Sequence, residues 1–108
     1  MSTPTEDYIR ANSDTVDWNS ISIRKYLSED FIREFQDEVH WSSISYHQKL
    51  SEDFIREFQD RVNWYWISRN QKLSKEFILE FIDKLKIKPI LNYQDLDQET
   101  KEYLLLLK

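Results

Sequence analysis

The chain has 108 residues, a net charge of −5 and no cysteine, with 40% hydrophobic and 15% aromatic residues. That length is one domain's worth, and so aromatic a composition excludes a disordered chain. The missing cysteines exclude disulfides, thiolate nucleophiles and cysteine-based zinc sites, and the longest unbroken apolar run, Leu104 to Leu107, falls far short of a membrane span.

Glycine is absent and proline occurs twice. β-Hairpins and glycine-rich phosphate loops both lean on glycine, so helices joined by short connections are predicted. The opening MSTPTEDYIR has neither a basic n-region nor an apolar h-region, so no secretory leader is expected and a cytoplasmic setting is the natural expectation.

In chain order the residues fall into register at a period of 23. TEDYIR from Thr5 matches the later SEDFIR, which makes residues 1–15 an amino-terminal half-repeat cap. Three full repeats follow at 16–38, 39–61 and 62–84, namely VDWNSISIRKYLSEDFIREFQDE, VHWSSISYHQKLSEDFIREFQDR and VNWYWISRNQKLSKEFILEFIDK. Residues 85–108, LKIKPILNYQDLDQETKEYLLLLK, are a degenerate copy and a carboxy-terminal cap. The eleven residues LSEDFIREFQD occur twice without change, at Leu27 and at Leu50.

Each repeat predicts two helices. The first is short and opens near Asp17, His40 or Asn63, with Trp18 and Ile21, Trp41 and Ile44, or Trp64 and Ile67 one turn apart on the same face. In the degenerate copy Pro89 falls in the first turn, where a missing N–H costs nothing. The second helix opens at Ser28, Ser51 or Ser74, a hydroxyl able to cap free backbone amides, with acidic residues following at once in the first two copies. Leu27 with Ile32, Leu50 with Ile55 and Leu73 with Ile78 have the spacing of a hydrophobic staple. Phe31, Ile32, Phe35 and Val39 form one apolar stripe, with Glu29–Arg33, Glu52–Arg56, Glu57–Arg61 and Glu80–Lys84 predicted to pair at i,i+4 on the polar side. One such unit has too few large apolar side chains to offset the ordering of its backbone, so the units must stack. The predicted fold is all-α, a short α-solenoid of helix-turn-helix repeats forming a single domain over 1–108.

Recurrent polar residues read as structural. Ser22, Ser45 and Ser68, and Gln48, Gln71 and Gln94 (a series that Lys25 breaks), could form a ligand-holding ladder. Because every copy shares them whatever its neighbours, a small residue for close helix approach and a glutamine bonded to backbone are the better reading. The tryptophans, one turn from isoleucine, read as core rather than as a base-stacking platform. His40 and His47 have no metal-ligand spacing, and no pair of acids is unique and convergent, so neither catalysis nor a metal or cofactor is expected. Charge sums to −5 over residues 1–38 and to −1, +1 and zero over the segments that follow. An acidic amino-terminal half disfavours nucleic acid as a partner, although imitation of its backbone is conceivable.

Positions where the copies differ carry the functional expectation. The two slots after each tryptophan hold Asn19–Ser20, Ser42–Ser43 and Tyr65–Trp66. The slots before the glutamine hold Ile23–Arg24, Tyr46–His47 and Arg69–Asn70. Tyr46, His47, Tyr65, Trp66 and Arg69 would form an outward surface of the composition that protein-binding hot spots favour. The alternative is that Tyr65 and Trp66 shield the eroded copy next to them. At the end of the chain Tyr103, Leu104 and Leu107 keep the apolar stripe but three places out of register, and Leu105 and Leu106 widen it. That helix either packs differently to close the stack or docks on another chain, such as a second copy.

The pattern V-x-W-x-x-I-S-x-x-Q-x-L-S-E-x-F-I-x-E-F, written here as VHWSSISYHQKLSEDFIREF, resembles a tandem helical repeat of proteins from giant DNA viruses and some bacteriophages. The likeness covers residues 5–84 well and 85–108 poorly. It implies a viral or phage binding scaffold acting in the host cytoplasm, without enzymatic activity. It assigns no functional residue, since the matching positions are the structural ones, and the short array implies a compact module for one protein partner that it binds and blocks.

Overall fold

The computed structural model describes residues 4–24 and 27–107; Lys25, which breaks the glutamine series, lies outside the described residues, as do the first three residues of the amino-terminal cap. Among the described residues the secondary structure is entirely helical: α1 (Pro4–Ala11), α2 (Trp18–Ser22), α3 (Glu29–Glu34), α4 (Trp41–His47), α5 (Glu52–Glu57), α6 (Trp64–Asn70), α7 (Lys75–Glu80), α8 (Ile87–Tyr93) and α9 (Gln98–Leu106). None of them is long and apolar enough to cross a membrane. The chain is elongated, 50 × 22 × 19 Å. The first helices of successive repeats touch in sequence, α2 with α4, α4 with α6 and α6 with α8, and α9 closes on α8.

Local chemistry sets the helix starts. Ser28, Ser51 and Ser74 accept the amides of Phe31, Phe54 and Phe77, each at 3.1 Å. Asp17, His40 and Asn63 cap α2, α4 and α6. Lys86 occupies that place in α8 without a side-chain cap bond. The substitution is harmless for a physical reason: Pro89 stands where Trp66 stands one repeat earlier, and it has no amide to offer a cap.

Each repeat packs one aromatic triad against the core. Trp64 lies against Phe77 and Phe81 with ring centroids 6.5 and 5.4 Å away, and Trp18 and Trp41 repeat the arrangement with Phe31 and Phe35 and with Phe54 and Phe58. The indole N–H donates to a carbonyl five residues back, that of Ser13, Gln36 or Gln59. Ile32, Ile44, Ile55, Ile67, Ile78, Ile90 and Leu104 run through one continuous core.

Helices this short leave many of their backbone groups unbonded within the helix, and the neighbouring repeats supply partners. Gln71 is buried; its Nε2 donates to the carbonyls of Ser45 (2.9 Å) and Gln48 (2.6 Å), and its Oε1 accepts the Leu50 amide (3.0 Å). Gln48 does the same for Ser22, Arg24 and Leu27, and Gln94 for Ser68, Gln71 and Leu73. Ser22, Ser45 and Ser68 accept the amides of His40, Asn63 and Lys86, all at 2.9 Å. The serine and glutamine series are therefore joints between repeats, and the serines are more than spacers.

A second seam joins α1, α3, α5 and α7. Glu6, Glu29 and Glu52 accept both the amide and the hydroxyl of the capping serine one repeat on, Ser28, Ser51 and Ser74. Arg10, Arg33 and Arg56 reach Glu34, Glu57 and Glu80 at 2.7–2.8 Å while pairing with Asp7, Asp30 and Asp53 in their own helix. Their guanidinium groups also cover Phe31, Phe54 and Phe77 of the next repeat. This corrects the i,i+4 pairing. Glu29 and Glu52 bond to serine caps, which offer two fixed donors each; Glu57 and Glu80 take the bidentate arginine of the preceding repeat; and Arg61 bonds to Asp37 (2.7 Å).

The last joint departs from the rest. Lys75 faces Asp97 (3.9 Å) where the other repeats set glutamate against serine. Leu79 and Tyr103 replace the arginine–glutamate pair and line a groove of about 260 Å³ with Lys75 and Thr100. Of the shifted stripe, Leu104 alone is buried, in the place of Phe81; Tyr103 and Leu107 are exposed, as are Leu105 and Leu106.

Two predictions follow from the joints. Replacing Gln71 by alanine orphans three backbone groups and should destabilise the chain by about 2–4 kcal/mol, roughly 10–20 °C in thermal midpoint. A midpoint that moves no more than for an exposed control such as Lys72→Ala would contradict that role. The carboxyls of Glu34, Glu57 and Glu80 are held below the usual range, first by hydrogen bonds from Arg10, Arg33 and Arg56. A depressed folded-state value contributes stability above the unfolded value of about 4.3 and loses it as pH falls through the folded one. The difference in midpoint between the parent and a Glu34→Gln, Glu57→Gln, Glu80→Gln chain should be a few degrees at neutral pH, as suits exposed pairs, and shrink on acidification. A gap that widens in acid contradicts the pairing.

Candidate protein-binding surface

The first helices carry the variable slots, and in the three full repeats none of the residues in them is buried. Asn19 and Ser20, at the start of the row, are exposed; Ser42 and Ser43 are half-buried. Further along the row, α4, α6 and α8 bring aromatic side chains into one cluster.

Trp66 is its centre. Tyr46, on α4, meets it edge-on at 4.6 Å with an interplanar angle of 74°, and Tyr65 meets it from α6 itself at 4.8 Å and 82°. His47 extends the cluster beyond Tyr46, with ring centroids 4.4 Å apart. Arg69 follows Trp66 by three residues, one turn along the same helix face, and its guanidinium lies 5.6 Å from the indole. On the other side it lies 4.5 Å from the ring of Tyr93, on α8. Tyr46, Tyr65 and Tyr93 are 40%, 45% and 56% exposed, and Trp66 and Arg69 are half-buried.

Backbone joints hold the cluster in place. The Asn70 side-chain amide donates to the Tyr46 carbonyl (3.1 Å), and the Asn63 amide group reaches the Ser42 hydroxyl (3.2 Å), so α4 and α6 cannot slide past one another. Tyr93 first, and then Tyr46, raise the Arg69 guanidinium above its ordinary value through their hydroxyls, and it stays charged at any working pH.

All five residues singled out in the sequence, Tyr46, His47, Tyr65, Trp66 and Arg69, thus lie in one contiguous patch. Tyr93 is the member that sequence reasoning missed. It stands 23 residues after Asn70, in the slot before the last glutamine, and the period alone could have found it. The two kinds of tryptophan also separate: Trp18, Trp41 and Trp64 pack against the core, whereas the ring neighbours of Trp66 are Tyr46 and Tyr65.

The patch thus brings together aromatic rings and one permanent cation. His40 is spent on capping α4, its Nδ1 meeting the Ser43 hydroxyl at 2.8 Å. Among the described residues no three histidine or acidic side chains come together as a metal site. No protein-family model matches the chain, and neither a curated protein nor a solved structure is significantly similar to it. The likeness to viral tandem repeats therefore rests on the motif alone.

The packing of Trp66 separates recognition from shielding. Trp64→Ala should cost about 3–5 kcal/mol, as for a tryptophan removed from a core. Trp66→Ala should cost about 1 kcal/mol, the worth of its ring contacts with Tyr46 and Tyr65. Equal losses in chemical denaturation would make Trp66 a core residue and remove it from the surface.

Proposed function

We propose that the chain is a non-enzymatic protein-binding module, a short α-solenoid whose partner docks on the aromatic patch of its first helices. One observation carries this reading. The repeated aromatic residues go into the core, while those that break the repeat, Tyr46, Tyr65 and Trp66, gather with Arg69 and His47 at the surface. Tyrosine, tryptophan and arginine are the residues that supply most of the free energy in protein interfaces. Joints on both seams of the stack hold the patch rigid, so binding sacrifices little conformational entropy. The resemblance to viral and phage repeats supports a setting in an infected cell, where the module binds and blocks a host or defence factor.

A second reading, self-assembly, is favoured by the end of α9, where Leu106 is 82% exposed beside Leu105 and Leu107. Binding of nucleic acid is a weaker third, given the net charge of −5.

Affinity capture from a host lysate, with the parent chain beside a Tyr65→Ala, Trp66→Ala chain of unchanged circular dichroism, tests the first reading. Specific proteins should be retained by the parent and lost from the variant. An unchanged profile removes the patch, and association that Leu106→Ser abolishes in sedimentation would turn the choice to self-assembly.

A further inference from the structure

Charge in this chain segregates between its two rows of helices. From His40 to Leu50, Val62 to Leu73 and Leu85 to Gln94, the stretches that contain α4, α6 and α8, there is no Asp or Glu; Lys49, Arg69, Lys72, Lys86 and Lys88 are the cations. Asp17, the cap of α2, belongs to the first row, but most of the acids lie in the other row, around α3, α5 and α7, where many of them are already engaged. A chain of net charge −5 thus presents a cationic face wherever the aromatic patch is.

Within that face Arg69 is the exceptional residue. Arg10, Arg33, Arg56 and Arg61 each have a carboxylate within 3 Å. Arg69 is half-buried like Arg10, Arg33 and Arg56, yet no carboxylate of the described residues reaches it; Arg24, which has none either, is exposed. Its neighbours are neutral: the rings of Trp66 and Tyr93, the hydroxyls of Tyr93 and Tyr46, and the Asn70 side-chain oxygen at 3.1 Å. A guanidinium partly stripped of water and held between two rings keeps donors for an anion it does not have.

Resting on the protein-binding reading above, we infer that the partner offers an acidic peptide segment: a carboxylate of Asp or Glu accepted by Arg69, with an apolar neighbour laid against Trp66 and Tyr46. A single-stranded nucleic acid fits less well. Bases stack on open ring faces, and Arg69 already covers those of Trp66 and Tyr93; the acidic second row would also repel a long polyanion.

Selection of a displayed random-peptide library on the immobilised parent chain, on Arg69→Gln and on Arg69→Lys tests this, with folding of each variant checked by circular dichroism. Peptides recovered on the parent should be enriched in Asp or Glu next to an apolar residue. Their affinity should fall with salt and drop at least about tenfold on Arg69→Gln, the loss expected for a charge-assisted hydrogen bond. Arg69→Lys should recover only part of it, since a lysine cannot reproduce the planar fork. Acidic enrichment that survives Arg69→Gln, or no enrichment at all, overturns the inference, as does tighter binding of oligo(dT) than of any selected peptide. Neutral peptides that bind and depend on Trp66 overturn the inference while leaving the protein-binding reading standing; loss of patch dependence in the lysate capture removes that reading itself.

Discussion

A helix of five to seven residues closes only one to three internal hydrogen bonds, so most of the backbone groups it contains need a partner from elsewhere. In this chain the partner is one repeat away. Gln48, Gln71 and Gln94 each take two carbonyls and one amide of the preceding connection, and Ser22, Ser45 and Ser68 receive the amide that opens the next first helix. Connections that would ordinarily lie open to water are bonded on the first-helix seam by side chains. Burial of Ile44, Ile67 and Ile90 beneath these joints then supplies the hydrophobic term that hydrogen bonds alone would not.

That constraint also divides the surface. Along the second-helix seam the acids hold the serine caps and the arginines, so Glu29, Glu52, Glu57 and Glu80 are fixed by the stack. Along the first-helix seam the joints that recur in every repeat use Ser and Gln, and the side chains at slots such as 46, 65, 66 and 69 take no part in them. Those slots are free to diversify, and here they have become aromatic and cationic. A rigid stack with one unconstrained face is the physical basis for reading function from differences between repeats.

Much of the fold was legible because it is written locally. Ser28, Ser51 and Ser74 cap helices within three residues, and the stripe of Phe31, Ile32 and Val39 follows from helix geometry. The ion pairs were misassigned because an acid four residues away and one 24 residues away are equally periodic in a repeat. Only the packing of α3 on α5 shows that Arg33 reaches Glu57 rather than Glu29. Of the surface, the five residues at variable slots could be picked out, whereas Tyr93 was hidden by the erosion of the last copy and the cationic face by summing charge along the chain instead of by row. The expectation of a shifted stripe at Tyr103 and Leu107 failed because Leu104 keeps the old register, substituting for Phe81, while its neighbours turn outward.

Backbone amide exchange tests the dependence of the fold on these joints most directly. Leu50 and Leu73 lie in connections, yet their amides are bonded to Gln71 and Gln94; Asn63 and Lys86 precede helices, yet theirs are bonded to Ser45 and Ser68. These four amides should exchange as slowly as Ile55 and Ile78 inside the second helices and should lose protection together with them. Rapid, loop-like exchange at the four while the helix amides stay protected would contradict closure between repeats as the foundation of the fold.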